Sequence, residues 1–212
     1  MTSTPDRYLI PRPRGVSWAV GSRNDDIARR LILDLLGGAA ERTMDLAALA
    51  ACYGMSDVAA FGKLLFKLQR ETFLTAGLEP LCLPAVDSFN EAINDCLARF
   101  AVSGSAVLAT DDGLCYGRAG ASVSDANLIS STAYRMFSMR QRLRRAMSDR
   151  MVDSDALDAT GAYVIEDLQL MPVHTGSRLF YLVTVGQPDF TNGAYVALVS
   201  LLLRRYKRHV AH

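Results

Sequence analysis

With 212 residues, half of them hydrophobic and 21% charged, the chain can form one large domain or two small ones, and its composition is that of a folded protein. A formal net charge of +1 creates no bulk electrostatic demand for nucleic acid or a membrane surface. No run approaches the ~18 to 20 unbroken apolar residues of a membrane helix.

The N-terminus lacks the charged-then-apolar plan of a signal peptide. Cys52, Cys82, Cys96 and Cys115 stand singly among apolar neighbours, without a CxxC pair, and read as free, buried thiols. A reducing, cytoplasmic setting is the expectation.

Residues 1–22 read as an irregular arm, because Pro11 and Pro13 remove backbone donors and bias the preceding residues toward extended geometry. Leu9, Ile10 and Trp18 could pack it on the body, and Arg7, Arg12 and Arg14 make it locally positive. Ile27, Ala28, Leu31, Ile32 and Leu35 predict a helix over about 25–36, stopped by Gly37 and Gly38. Asp45 is placed to cap a short helix over 46–52. After a turn at 53–55, Ser56 is placed to cap a third helix to about Arg70, with a stripe of Val58, Phe61, Leu65 and Leu68. Residues 73–76 and 78–83 read as two short strands around Gly77. Three helices followed by a strand pair is the order of a winged helix, giving a domain over 23–85.

Pro84 marks a boundary, and 86–212 form the second domain. Phe89, Ala92, Ile93, Cys96, Leu97 and Phe100 predict an amphipathic helix. A strand over 106–109, the turn signal Asp111-Asp112-Gly113 and a return strand over 114–116 make a hairpin. Ser124 is placed to cap a long helix to about 148, and 151–160 is a polar connector. Strands follow over 161–166, 168–173 and 179–185. Thr191 or Asn192 caps a last helix with a stripe of Tyr195, Leu198, Val199, Leu202 and Tyr206.

This order over roughly 87–208 resembles the roadblock/LC7 family. The carriers are the segment from Gly104 to Gly117 with its Asp-Asp-Gly turn, the long helix after it, the strand Leu179–Val185, and Gln187 to Asn192 opening the last helix. The resemblance implies an α+β fold: a five-stranded antiparallel sheet, the middle helix on one face and the first and last helices on the other. It implies homodimers joined through the middle helices and the third strands, with no catalytic residues and no cofactor. Several bacterial members regulate small Ras-like GTPases, while eukaryotic members act as dynein light chains or scaffold subunits.

The middle helix departs from the family in being unusually basic: Arg135, Arg140, Arg142, Arg144 and Arg145, with no acid between Asp125 and Asp149. Ile129, Ala133, Met136, Phe137 and Leu143 are phased toward the sheet. Leu128, Met139 and Ala146 fall outside that stripe and need a second cover. Helical phase therefore assigns Leu128, Arg135, Met139, Arg142 and Ala146 to a dimer seam, and Arg140 and Arg144 to a partner. The dull alternative is that the arginines cover apolar surface with their stems and pair with carboxylates, since residues 86–212 hold 13 basic and 13 acidic side chains.

Other constellations carry less. The front of the third helix offers Asp57, Val58, Ala59, Ala60 and Phe61, with no Arg, Lys, Asn or Gln to read a base edge; Lys63, Lys67 and Arg70 could touch only phosphates. Nucleic acid is accordingly disfavoured as a partner. The cationic run after Arg204 complements a helix C-terminus. His174 has no nucleophile context, and neither metal-ligand spacing nor a phosphate-binding glycine loop occurs. The expected function is a non-catalytic homodimeric adaptor acting on another protein, with a Ras-like GTPase as the partner the resemblance implies. The alternative is a DNA-binding regulator whose second domain dimerises.

Overall fold

The computed structural model describes residues 8–22, 26–38, 45–79, 88–147 and 163–206. The side chains of Arg144, Arg145, Met147, Tyr163 and Ile165 also lie outside the description.

The first surprise is the arm. Tyr8–Pro11 is a strand, β1, and Pro13–Val20 is a helix, α1, so 8–20 is regular rather than irregular. Both prolines look like breakers in the sequence, but a proline at the first helical position costs nothing, since that N–H has no intrahelical partner anyway. Pro13 occupies this position. β1 is fixed by a distant partner, β2 (Leu74–Gly77), in an antiparallel register from Tyr8 opposite Gly77 to Pro11 opposite Leu74. The Arg12 amide extends the pairing to the Phe73 carbonyl at 2.9 Å.

Between these strands lie α2 (Ile27–Leu36), α3 (Leu46–Cys52) and α4 (Val58–Arg70). Asp26 and Asp45 cap α2 and α3 by accepting from amides of their first turns. The cap of α4 is Asp57, whose carboxylate accepts from the Ala60 amide at 3.0 Å, rather than Ser56. Phe61, Leu65 and Leu68 are buried, but Val58 at the helix start is exposed. The three helices and the strand after them keep the expected order, but the partner of β2 differs. Residues 78 and 79 are not in a strand, and 80–83 lie outside the described residues.

The end of α4 explains a conformational outlier. The Phe73 amide bonds to the Leu68 carbonyl at 2.9 Å and the Thr72 amide to the Gln69 carbonyl at 3.0 Å. This closing turn requires a left-handed residue at Thr72, whose φ is +59°. A β-branched side chain is costly there and glycine is not. Thr72→Gly should therefore raise the unfolding free energy by about 1 kcal/mol, read from urea denaturation with the m-value unchanged.

The second half begins with α5 (Phe89–Phe100) and continues through β3 (Ser103–Thr110), β4 (Cys115–Ala119), α6 (Val123–Met147), β5 (Tyr163–Ile165), β6 (Leu168–His174), β7 (Leu179–Gln187) and α7 (Ala194–Tyr206). β3 to β7 form one antiparallel five-stranded sheet in the order β4-β3-β7-β6-β5. The β3–β4 turn takes Gly113 at φ +83°, which only glycine adopts freely. Thr110 locks the turn by bonding the Asp112 carboxylate and the Leu114 backbone, and the Thr110 hydroxyl holds that carboxyl below its ordinary pKa.

Strand alternation gives the sheet two apolar faces. Ala106, Leu108, Met171, Val173, Phe180 and Leu182 share one core with α5 and α7, and this core runs on without a break into α1, α2 and α4. Ala109, Leu170, Tyr181 and Val183 face the other way, onto α6. The first half docks through α1 and α2 against α7, and α1 also reaches β6. Ser17 donates a hydrogen bond to the buried Tyr195 hydroxyl across this joint, at 3.1 Å.

Candidate functional site

The site with most unexplained chemistry is α6. Its start is fixed by Ser122 rather than Ser124: the Ser122 hydroxyl accepts from the Asp125 amide at 3.1 Å and donates to the Asp125 carboxylate at 2.7 Å. One side of the helix packs on β3 and β7. Ala126, Ser130 and Ala133 are buried there, flanked by half-buried Ile129, Met136 and Phe137. The Phe137 ring stacks on Tyr181, with centroids 4.3 Å apart and planes 11° from parallel.

The sheet-facing stripe ends sooner than expected. Leu143 is 51% exposed. A 25-residue helix is ~37 Å long, whereas the nine residues of β7 span ~30 Å. The helix is thus longer than the strand it packs on.

The opposite side of α6 is an exposed line. Leu128, Thr132, Arg135, Met139, Arg142 and Ala146 succeed one another at alternating spacings of four and three, and all six are exposed. Leu128 is 67% and Met139 63% exposed. The five positions assigned from sequence to a seam thus share one face. Arg140 does not join them: it is half-buried, on the flank that carries Met136 and Phe137. Arg144 follows one turn later, and its side chain lies outside the described residues.

The sheet has two unlike edges. At β4, the Asn94 side chain of α5 accepts from the Arg118 amide at 2.9 Å, so α5 occupies part of that edge. A side chain at Gly117 would strike Ile93, which shows how closely α5 lies against the strand. β5 pairs only with β6 among the described residues, so it is the other edge of the described sheet, and Val164 is 66% exposed.

Titratable groups elsewhere serve the fold. Burial pushes the Cys96 thiol up to about 11 and the Tyr195 phenol to about 12. Tyr116, half-buried against α7 and bonded to the Tyr206 hydroxyl at 2.7 Å, is raised to about 12 by its partial burial and that bond. Asp189 is held low by Thr191, which bonds it through both hydroxyl and amide. The cap of α7 is Asn192, accepting from the Ala194 amide at 2.9 Å. Beside His174, Thr175 bonds the Arg178 carbonyl and Ser177 the Tyr206 carbonyl, so both hydroxyls are committed to backbone. Of the cysteines, Cys52 is exposed rather than buried, and Cys115 is half-buried; Cys82 lies outside the described residues. No group of three or more metal-ligating side chains clusters among the described residues. No helix among them is long and apolar enough to cross a membrane.

Comparison with solved structures returns a roadblock/LC7 domain and MglB proteins. This chain is similar to the roadblock/LC7 domain from Streptomyces avermitilis, at 16% identity over 55% of this chain and 93% of that one, with a TM-score of 0.38. It is similar to the gliding protein MglB from Thermus thermophilus, at 14% identity over 61% and 97%, with a TM-score of 0.38. Myxococcus xanthus MglB is 17% identical over 58% and 92%, with a TM-score of 0.35. No family model matches the sequence, and the comparison with curated proteins gave no match.

Proposed function

We propose that the chain is a non-catalytic homodimeric adaptor, paired through the outer face of α6 and the β5 edge of the described sheet. It would act on a second protein, for which the family resemblance of the sequence suggests a small Ras-like GTPase. The observation carrying this reading is the exposed line on α6. Its four-three spacing is that of a helix seam, and Leu128 and Met139 are too large and too exposed to suit a helix that ends its work at the sheet.

The arginines in the line favour one pairing. In a parallel seam, Arg135 would meet Arg135 of the second copy and Arg142 would meet Arg142. In an antiparallel seam centred on Phe137, Arg135 lies opposite Met139, Arg142 opposite Thr132, and Leu128 opposite Ala146. Long side chains then meet short ones or a flexible thioether, and the guanidinium stems cover apolar surface while their heads stay wet. The β5 edge supports joining the two sheets, since an edge strand is a template for another strand. In this reading the winged-helix-like part is 23–85, with α2, α3, α4 and β2 in the order of a winged helix.

The test is a tagged pull-down from native extract in parallel GDP and GTP-analogue conditions, followed by mass spectrometry. Enrichment of a small GTPase in one nucleotide state is the expected result. Recovery of the chain alone in both conditions would remove the GTPase from the proposal.

A further inference from the structure

The pairing of β1 with β2 does something no local reading could foresee: it carries the arginines of the N-terminal segment to the far end of α4. Arg12 and Arg14, both exposed, share a cleft of about 430 Å³ with Gln69, Thr72 and Thr75. The Arg14 guanidinium also lies 5.7 Å from the centre of the Phe73 ring. From this cleft the outer face of α4 runs back through Arg70, Phe66 and Lys63, residues at helical spacing, with Lys67 beside them; all four are exposed.

Two features make the surface unusual. The first is charge. The acids described in this half are used elsewhere: Asp26 pairs with Arg29, Asp34 accepts from the Tyr53 hydroxyl, and Asp45 and Asp57 cap helices. Glu79 follows the opposite end of β2, and only Glu71, 3.7 Å from Arg70, enters the strip. The second is Phe66, 66% exposed and set between Lys63 and Arg70. Spaced cations about an exposed aromatic ring suit a nucleotide strand, whose phosphates take the cations and whose bases offer flat faces.

We infer that this face, from the Arg12–Arg14 cleft along α4 past Phe66, binds single-stranded nucleic acid without regard to sequence. Arg12, Arg14, Lys63 and Arg70 contact successive phosphates, the cleft seats one of them among its hydroxyls, and Phe66 stacks under a base. The front of α4, Asp57 to Phe61, offers no side chain that reads a base edge. The inference is independent of the α6 seam, so either can fail without the other.

The experiment uses the full chain and a fluorescein-labelled 20-nucleotide DNA of mixed sequence, single-stranded or duplex, followed by anisotropy across 50–200 mM salt. Single strands should bind more tightly than duplex, with log affinity falling linearly in log salt by about 0.7 per phosphate contact. Replacing Arg12 and Arg14 together by Ala should remove about two contacts from that slope, and Lys63→Ala about one. Phe66→Ala should weaken single-strand binding by about 5- to 100-fold and leave duplex binding unchanged. Arg204→Ala, an equal loss of charge on α7, should change nothing. The inference is overturned if single strands show no binding at 50 mM salt, if duplex binds more tightly, or if these variants bind as the parent does. It is also overturned if inorganic phosphate displaces the DNA where chloride at equal ionic strength does not, since the ligand would then be a small anion.

Discussion

Met139→Arg is expected to convert the protein to a monomer at micromolar concentration, while Met139→Glu weakens the pair distinctly less. Both substitutions put a charge on an exposed position, so neither should disturb the fold of one copy. In the antiparallel seam each Met139 faces Arg135 of the other copy, and two-fold symmetry counts each change twice. An arginine there sets like charges opposite one another and gives up the burial of two methionines, each worth about 1.5–3 kcal/mol. The sum corresponds to a dissociation constant weakened by at least about 10²-fold. A glutamate loses the same burial but recovers part of it by pairing with Arg135, about 0–1 kcal/mol per contact, so it weakens the pair less than arginine does. Sedimentation velocity of the three proteins separates the arrangements. In a parallel seam Met139 would meet itself, and glutamate would break the pair as thoroughly as arginine. If the parent chain sediments as a monomer, the seam is wrong altogether.

The stripe behind this prediction is legible in the sequence because helix phase is local information. Leu128, Arg135, Met139, Arg142 and Ala146 follow from spacing alone, and so do α3, from its cap Asp45, and α5, from its helical period. Cap identity is harder. Asp57 caps α4 one residue after Ser56, and Ser122 caps α6 two residues before Ser124, because the backbone path decides which oxygen reaches an amide. Leu143 departs from its expected place because periodicity says which way a side chain points but not how far the sheet extends beneath it.

Long-range pairing is what the sequence does not reveal. β1 finds β2 across more than sixty residues, and no property of Tyr8–Pro11 names that partner over the adjacent 78–83. Without that strand, α1 is hidden as well, and nothing links Arg12 and Arg14 to the cations of α4. The cleft between them is a product of topology. Its absence from the sequence is the reason the composition of α4, taken alone, argues against nucleic acid.

Tyr195→Ala is expected to cost about 3–5 kcal/mol, the range for removing a large buried aromatic side chain, and to lower the melting of the entire chain in one transition. Tyr195 is fully buried, stacks on Phe100 at 5.5 Å and meets the edge of Phe190 at 5.4 Å. Its hydroxyl takes the hydrogen bond from Ser17, so the same side chain serves the core under the sheet and the joint with α1. If the proposed division near residue 85 separated independently stable units, calorimetry would show two transitions with only the later part shifted. The continuous core argues for a single one. Tyr195→Phe isolates the joint: it keeps the ring and should lose about 1 kcal/mol. It also changes the alkaline limb. Burial raises the phenol to about 12 in the folded chain, against about 10 when unfolded. The unfolded state therefore ionises first, and stability is lost as pH rises from about 10 toward 12. Tyr116, raised to about 12 for a related reason, contributes a second share of that loss. Tyr195→Phe removes only its own share, so its stability should fall less steeply than the parent's over that window, while below about pH 9 the two curves run parallel.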